Sequence, residues 1–337
     1  MKAFITATFA AMVSALVLAQ PVAQLSTDAI LTERLGMSAA NLALVKAGQP
    51  VAWPLTPNTN TEIAAGGAIR ATGDLRRLVL WFRDIEAFIR ASGTENVGAI
   101  HSPATPDDFA RLNMADADFK ALASCKPGKC EVRMPASYLG RFQNEVTWAA
   151  PDASAQAQRL AKQMIGDYVR TYQQGGDAAL GAHHNQKDPT AVAKEFQDLL
   201  RRATRVWDLA FPFASYLESY PKARPDGMED RFYWTRDKMF RDPVLTLHHL
   251  ALQELPGGRV IVADKQFYAS RQFNAGLMIA TGIPTPDGKG FDLIVMLRAR
   301  LDAAGSMTGR MFKGQIQKEV VDGLKVYLEW IRASSAL

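Results

Sequence analysis

The sequence is poor in the residues that usually announce chemistry. It holds two cysteines and five histidines among 337 residues. No Gly-x-Ser-x-Gly elbow, Gly-x-Gly-x-x-Gly turn, phosphate loop or His-Glu-x-x-His pair occurs. The common signatures of serine hydrolases, dinucleotide enzymes, P-loop NTPases and zinc proteases are therefore missing. No internal repeat or low-complexity tract is present. Despite a net charge of +5, no lysine–arginine cluster forms a footprint for nucleic acid. No catalytic residue, metal site or cofactor is assigned from the sequence.

The chain opens Met1-Lys2 and continues as an apolar run, Ala3 to Ala19. Val17-Leu18-Ala19 before Gln20 fits the small-residue rule for signal peptidase. The expectation is a cleaved signal peptide over residues 1–19 and a periplasmic or secreted protein; an uncleaved anchor is the competing reading. Removing Lys2 lowers the charge from +5 to +4. That is compatible with transient contact with an anionic membrane surface. Beyond Ala19 no run is long and apolar enough to span a bilayer. Cys125 and Cys130 flank a Pro-Gly turn, and in an exported chain that spacing predicts a local disulfide. A metal site would need more ligands than lie nearby.

The last third organises the chain. Residues 243–255 (PVLTLHHLALQEL) alternate with apolar residues on both faces, as in a strand covered on both sides. Pro256-Gly257-Gly258 turns the chain into Arg259–Gln266. Residues 267–281 continue that strand or start a new one, with Gly276 marking a bulge or bend. Residues 291–301 (FDLIVMLRARL) place Phe291, Leu293, Val295 and Leu297 on one face, with Ile294 and Met296 behind. After Gly305 the period becomes helical, with Phe312, Ile316, Val320, Leu324, Tyr327 and Ile331 in one stripe.

Earlier, residues 25–46 read as one or two short helices, and Gly48–Pro54 as the start of a sheet. Glu62–Ala71 reads as a strand with a glycine pair. Leu75–Ala91 reads as one amphipathic helix, Glu131–Pro135 as a strand, and about residues 135–215 as a helical insertion. Gly175-Gly176 is expected to end the helix begun at Ala153. Arg231–Thr235 reads as a short strand.

The stretch Gly67-Ala-Ile-Arg-Ala-Thr-Gly-Asp-Leu-Arg-Arg-Leu-Val-Leu-Trp-Phe-Arg-Asp-Ile-Glu, together with Phe291 to Ile331, resembles the START-like (SRPBCC) helix-grip superfamily. The whole chain also resembles an exported proteobacterial family. The resemblance implies an α+β fold: a curved antiparallel sheet wrapped on a long carboxy-terminal helix, here one domain over residues 20–337. It also implies a cavity for a hydrophobic small molecule, such as a lipid, hopanoid, polyketide or aromatic.

The candidate cavity residues are Trp81, Phe82, Phe88, Tyr268, Phe273, Met278, Met296, Met311 and Phe312, with ordinary core packing as the competing reading. His248 and His249 must point to opposite faces of their strand, so one of them faces the cavity. Arg298 and Arg300 are either head-group contacts or surface charge. His183-His184-Asn185 reads as a solvated loop, and Glu145, Asp167 and Glu195 as solvated helix faces. The leading function is binding or shuttling of a hydrophobic molecule. The alternatives are an enzyme using His248 or His249 with Tyr268, and an envelope scaffold without a ligand.

Overall fold

The structure is a computed structural model that describes residues 26–203, 211–239, 242–302 and 307–335; side chains 202–203, 211–212, 239, 242 and 307–312 lie outside the description. The expected signal segment, residues 1–19, also lies outside the described residues. The first described elements are α1 (Thr27–Ala29), a π-turn (Ile30–Arg34) and α2 (Ala39–Lys46). Then follow β1 (Val51–Pro54), β2 (Glu62–Thr72), α3 (Leu75–Arg83), α4 (Ile85–Ala91) and β3 (Val97–Ile100). A helix-rich stretch carries α5 (Asp116–Ser124), α6 (Ala136–Glu145), α7 (Ala153–Leu180), the small hairpin β4 (Ala182–His183) and β5 (Thr190–Ala191), α8 (Val192–Ala203) and α9 (Phe211–Ser219). The end is β6 (Met228–Met239), β7 (Asp242–Leu255), β8 (Arg259–Ala269), β9 (Phe273–Pro284), β10 (Gly290–Leu301) and α10 (Met307–Ser335).

The fold is α+β. Eight strands form one antiparallel sheet in the order β1-β2-β10-β9-β8-β7-β6-β3. Helices lie on both faces, which explains why β7 carries apolar residues on both of its sides. On one face Leu250, Leu252, Val262, Leu293 and Val295 meet α3, α4 and α10. On the other, Leu247, Ala251, Ile261, Ile279 and Ile294 meet the helix-rich stretch, chiefly α7, α8 and α9. Helices α5, α6 and the first half of α7 add a small core of their own around Leu139, Phe142 and Ala157.

The glycine pair in β2 lets both layers approach. A Cβ on Gly67 would lie 2.9 Å from Leu324 and 3.0 Å from Leu328 of α10. A Cβ on Gly66, on the opposite face, would lie 2.6 Å from the Trp53 indole. Gln317 then fixes α10 to β2, donating to the Ala64 carbonyl at 2.8 Å and accepting from its N–H at 3.2 Å.

Several local expectations change. Residues 75–91 form two helices, because Asp84 leaves helical geometry (φ −102, ψ 68) and its carboxylate caps α4 at Ala87 N. Glu131–Pro135 is not a strand; Arg133 instead donates its backbone N–H to Ser270. Gly176 breaks α7 with φ 64, yet helix resumes to Leu180. The strand at Arg231–Thr235 extends over all of β6. Gly276 sits in regular register, and the irregularities fall elsewhere, at Leu247/His248 and Arg300/Leu301. The Cys125–Cys130 disulfide is present and closes the loop after α5.

Candidate functional site

Helix α10 lies over β1 and β2, α3 over β9, and α4 against β3 and β6. Between them, the central strands β7 and β8 keep a strip that solvent still reaches. His248 and Asp264 are 15% and 14% exposed there, although they sit mid-sheet. Strand alternation builds this cleft. Thr246 and His248 come from β7, Asp264 and Gln266 from β8, and Tyr233 and Thr235 from β6. Tyr327 of α10 closes one side, its ring edge-on to Phe88 at 6.3 Å.

These groups form a chain of hydrogen bonds. Asp264 accepts from the Tyr233 hydroxyl at 2.5 Å and pairs with His248 Nδ1 at 3.0 Å. His248 Nε2 lies 2.8 Å from the Thr246 hydroxyl, which lies 2.8 Å from that of Thr235. With Nδ1–H directed at Asp264, Nε2 accepts from Thr246. The imidazole stacks on Tyr233 at 4.5 Å. Burial and Asp264 together hold the Tyr233 phenol well above its ordinary range, and burial raises Tyr327. Both phenols are therefore protonated donors at neutral pH.

Carboxylate, imidazole and hydroxyl here have the connectivity of a nucleophile relay. Thr246, however, is fully buried and already bonded to Thr235. No substrate reaches its oxygen, so the chain orients His248 rather than activating Thr246. Two donors in the cleft have no partner among the described residues: Tyr327 Oη and Gln266 Nε2 are both buried without a hydrogen bond. A buried donor left unmet is costly, so each of these two calls for an acceptor, from water or from a ligand.

The structure divides the sequence candidates between the two faces of the sheet. His248 is central in the cleft, Met278 faces Asp264 across β8 and β9, and Phe273 lies at one end with Val244 and Ile316. Phe82 and Phe88 pack at the other end, and Trp81 stacks on Trp330 at 5.5 Å. The side chains of Met311 and Phe312 lie outside the described residues.

Tyr268, Met296 and Arg298 are on the opposite face and cannot share that cleft. Tyr268 donates to the Arg133 carbonyl at 2.8 Å, and Met296 packs in the core beneath the helix-rich stretch. Arg298 is neither a head-group contact nor surface charge, because it is buried against Glu62. Arg300 pairs with Glu195 at 3.0 Å, so that carboxylate is not a solvated helix face either.

His249 follows the same partition. It faces away from the cleft, between Tyr172 at 2.8 Å and Asp230 at 2.8 Å. Close by, Lys265 is fully buried, 2.5 Å from Asp177 and 3.7 Å above the Phe196 ring. His183 is not solvated; it is buried between Tyr168 (3.1 Å) and Arg133 (3.2 Å). These groups are closed in by protein and act as internal struts. Among the described residues, no cluster of His, Cys, Asp and Glu is placed to hold a metal, and no helix is long and apolar enough to cross a membrane.

Sequence reasoning missed Tyr233, Asp264, Gln266 and Tyr327 as a group. The available signal was the polar run Asp264-Lys265-Gln266 in the middle of an otherwise apolar β8. No family model, no curated protein and no solved structure matches the chain.

Proposed function

We propose that the protein is exported and binds an apolar molecule carrying an acceptor oxygen, in the cleft between α10 and the sheet. The observation that carries this is the pair of unmet buried donors, Tyr327 Oη and Gln266 Nε2, in a solvent-reached strip beside His248. Apolar walls flank the polar middle, with Phe273, Val244 and Ile316 at one end and Phe88, Leu250 and Val262 at the other. That pattern fits a ligand with a mostly hydrocarbon body and one hydroxyl or carbonyl group.

The strand order β2-β10-β9-β8-β7-β6-β3, with α3 and α4 between β2 and β3 and α10 last, supports a START-like helix-grip assignment. The Cys125–Cys130 disulfide supports export to an oxidising compartment, since such bonds rarely persist in a reducing cytosol. Burial of apolar ligand surface supplies about 25 cal/mol per Å², from which ordering costs are subtracted. The hydrogen bonds to Tyr327 and Gln266 then select ligands with an oxygen in register. Release without chemical change fits a carrier.

Saturable uptake of a fluorescent long-chain alcohol tests this. Binding is expected to fall at least tenfold in Met278→Trp, which fills the cleft. Equal binding by both proteins would overturn the assignment of the cleft.

A further inference from the structure

A second cavity lies on the other face of the sheet, under α5, α6 and α7. Its volume is about 50 Å³, the room of roughly four water molecules. Three methionines line it, Met114, Met134 and Met164, with Phe142, Leu245 and Leu247. Four of the polar side chains in its wall are turned to partners inside the protein. The Tyr168 hydroxyl lies 3.1 Å from His183, and that of Tyr268 donates to the Arg133 carbonyl. Ser270 Oγ accepts from Leu245 N at 3.0 Å. Asp118 accepts from Arg271 at 2.9 Å and from Ala115 N at 3.4 Å.

Water in such a space finds few partners, whereas hydrocarbon gains contact with every wall. Methionine side chains also adjust to the shape of what enters. At the rim stands Arg236, which donates to the Asn113 carbonyl. Among the described residues it has no carboxylate partner. An apolar slot ending at an uncompensated cation matches a molecule with a short alkyl chain and an anionic head.

We propose that this cavity is a binding site for short unbranched alkyl carboxylates, with the chain among the three methionines and the carboxylate on Arg236. The site is separate from the cleft beside α10, and its ligand is smaller. It uses residues of the helix-rich stretch, so it does not depend on the helix-grip assignment.

The test is an NMR titration of the full chain, labelled with ¹³C at the methionine methyls, with sodium butyrate, whose short tail matches the room of about four waters. Saturable shifts are expected at Met114, Met134 and Met164, with Met278 and Met296 unmoved. Arg236→Gln should weaken butyrate about tenfold and leave 1-butanol binding within twofold. The dispersed methyl spectrum shows that each protein is folded, and the wild-type titration needs no variant. No saturable shift at the three methionines would overturn the proposal. So would shifts confined to Met278, which would put the chain in the α10 cleft instead, or equal binding of propylammonium.

Discussion

Gln266 and Tyr268 stand two positions apart on β8 and yet face opposite sides of the sheet. His248 pairs with Gln266 and Leu247 with Tyr268, so Phe267 is an extra residue between them. The bulge sends Phe267 and Tyr268 to the same side, where Phe267 stacks on Tyr172 at 4.1 Å and Tyr268 meets Tyr168 at 5.4 Å. Gln266 stays in the cleft with Asp264. One inserted residue therefore separates the polar face of the cleft from an aromatic structural one.

Tyr327→Phe should separate stability from binding. The hydroxyl has no partner among the described residues, so its loss should leave stability unchanged or raise it by up to about 1 kcal/mol. Affinity for an oxygen-bearing apolar ligand should drop about five- to tenfold. Urea unfolding and ligand titration on the same samples check both halves.

Gly67→Ala should loosen the helix from the sheet. The new methyl would sit 2.9 Å from Leu324, and overpacking of this kind costs about 1–3 kcal/mol. A lower urea midpoint is expected, with far-UV circular dichroism unchanged.

The Lys265–Asp177 pair should behave as a strut whose halves need each other. Burial pulls the Lys265 amine below its ordinary value, and Asp177 opposes that pull. Lys265→Met alone leaves a buried carboxylate and should cost about 3–5 kcal/mol. The double variant Lys265→Met, Asp177→Leu should recover most of that loss. Urea unfolding of the double-mutant cycle measures the difference.

His183 should make the protein acid-sensitive. Burial, aided by the Arg133 cation, holds its imidazole well below the usual 6.5. Below about pH 6.5 the unfolded chain takes up a proton that the folded chain refuses, so stability falls as pH falls. The contribution is fully present above that pH, and its slope is at most about 1.36 kcal/mol per pH unit. Burial also holds His249 below its ordinary value, so unfolding free energies from pH 5 to 8 should fall toward acid, and His183→Gln should reduce the slope without abolishing it.

Much of the frame is legible from the chain. The double alternation of β7, the period change after Gly305 and the stripe on α10 all follow from side-chain periodicity, which local sequence carries directly. The Gly66-Gly67 pair marks a close approach, although nothing local says that Trp53 and Leu324 fill the two sides. The site is harder to read. Strict alternation places Tyr268 beside Gln266, and only the bulge at Phe267, decided by packing against Tyr172, moves it away. The buried positions of His183, Arg133 and Arg298 depend on partners 15 to 236 residues distant in sequence. Such charges look like surface when read alone. Asp84 carried a usable signal, an N-capping residue in the middle of an amphipathic stretch.

Native mass spectrometry of the protein purified from the cells that make it, followed by organic extraction, addresses the proposed binding cleft most directly. The expected result is one apolar, oxygen-bearing molecule per chain, lost or strongly reduced in Met278→Trp. A protein that arrives empty, and that takes up no long-chain alcohol when offered one, would contradict the account.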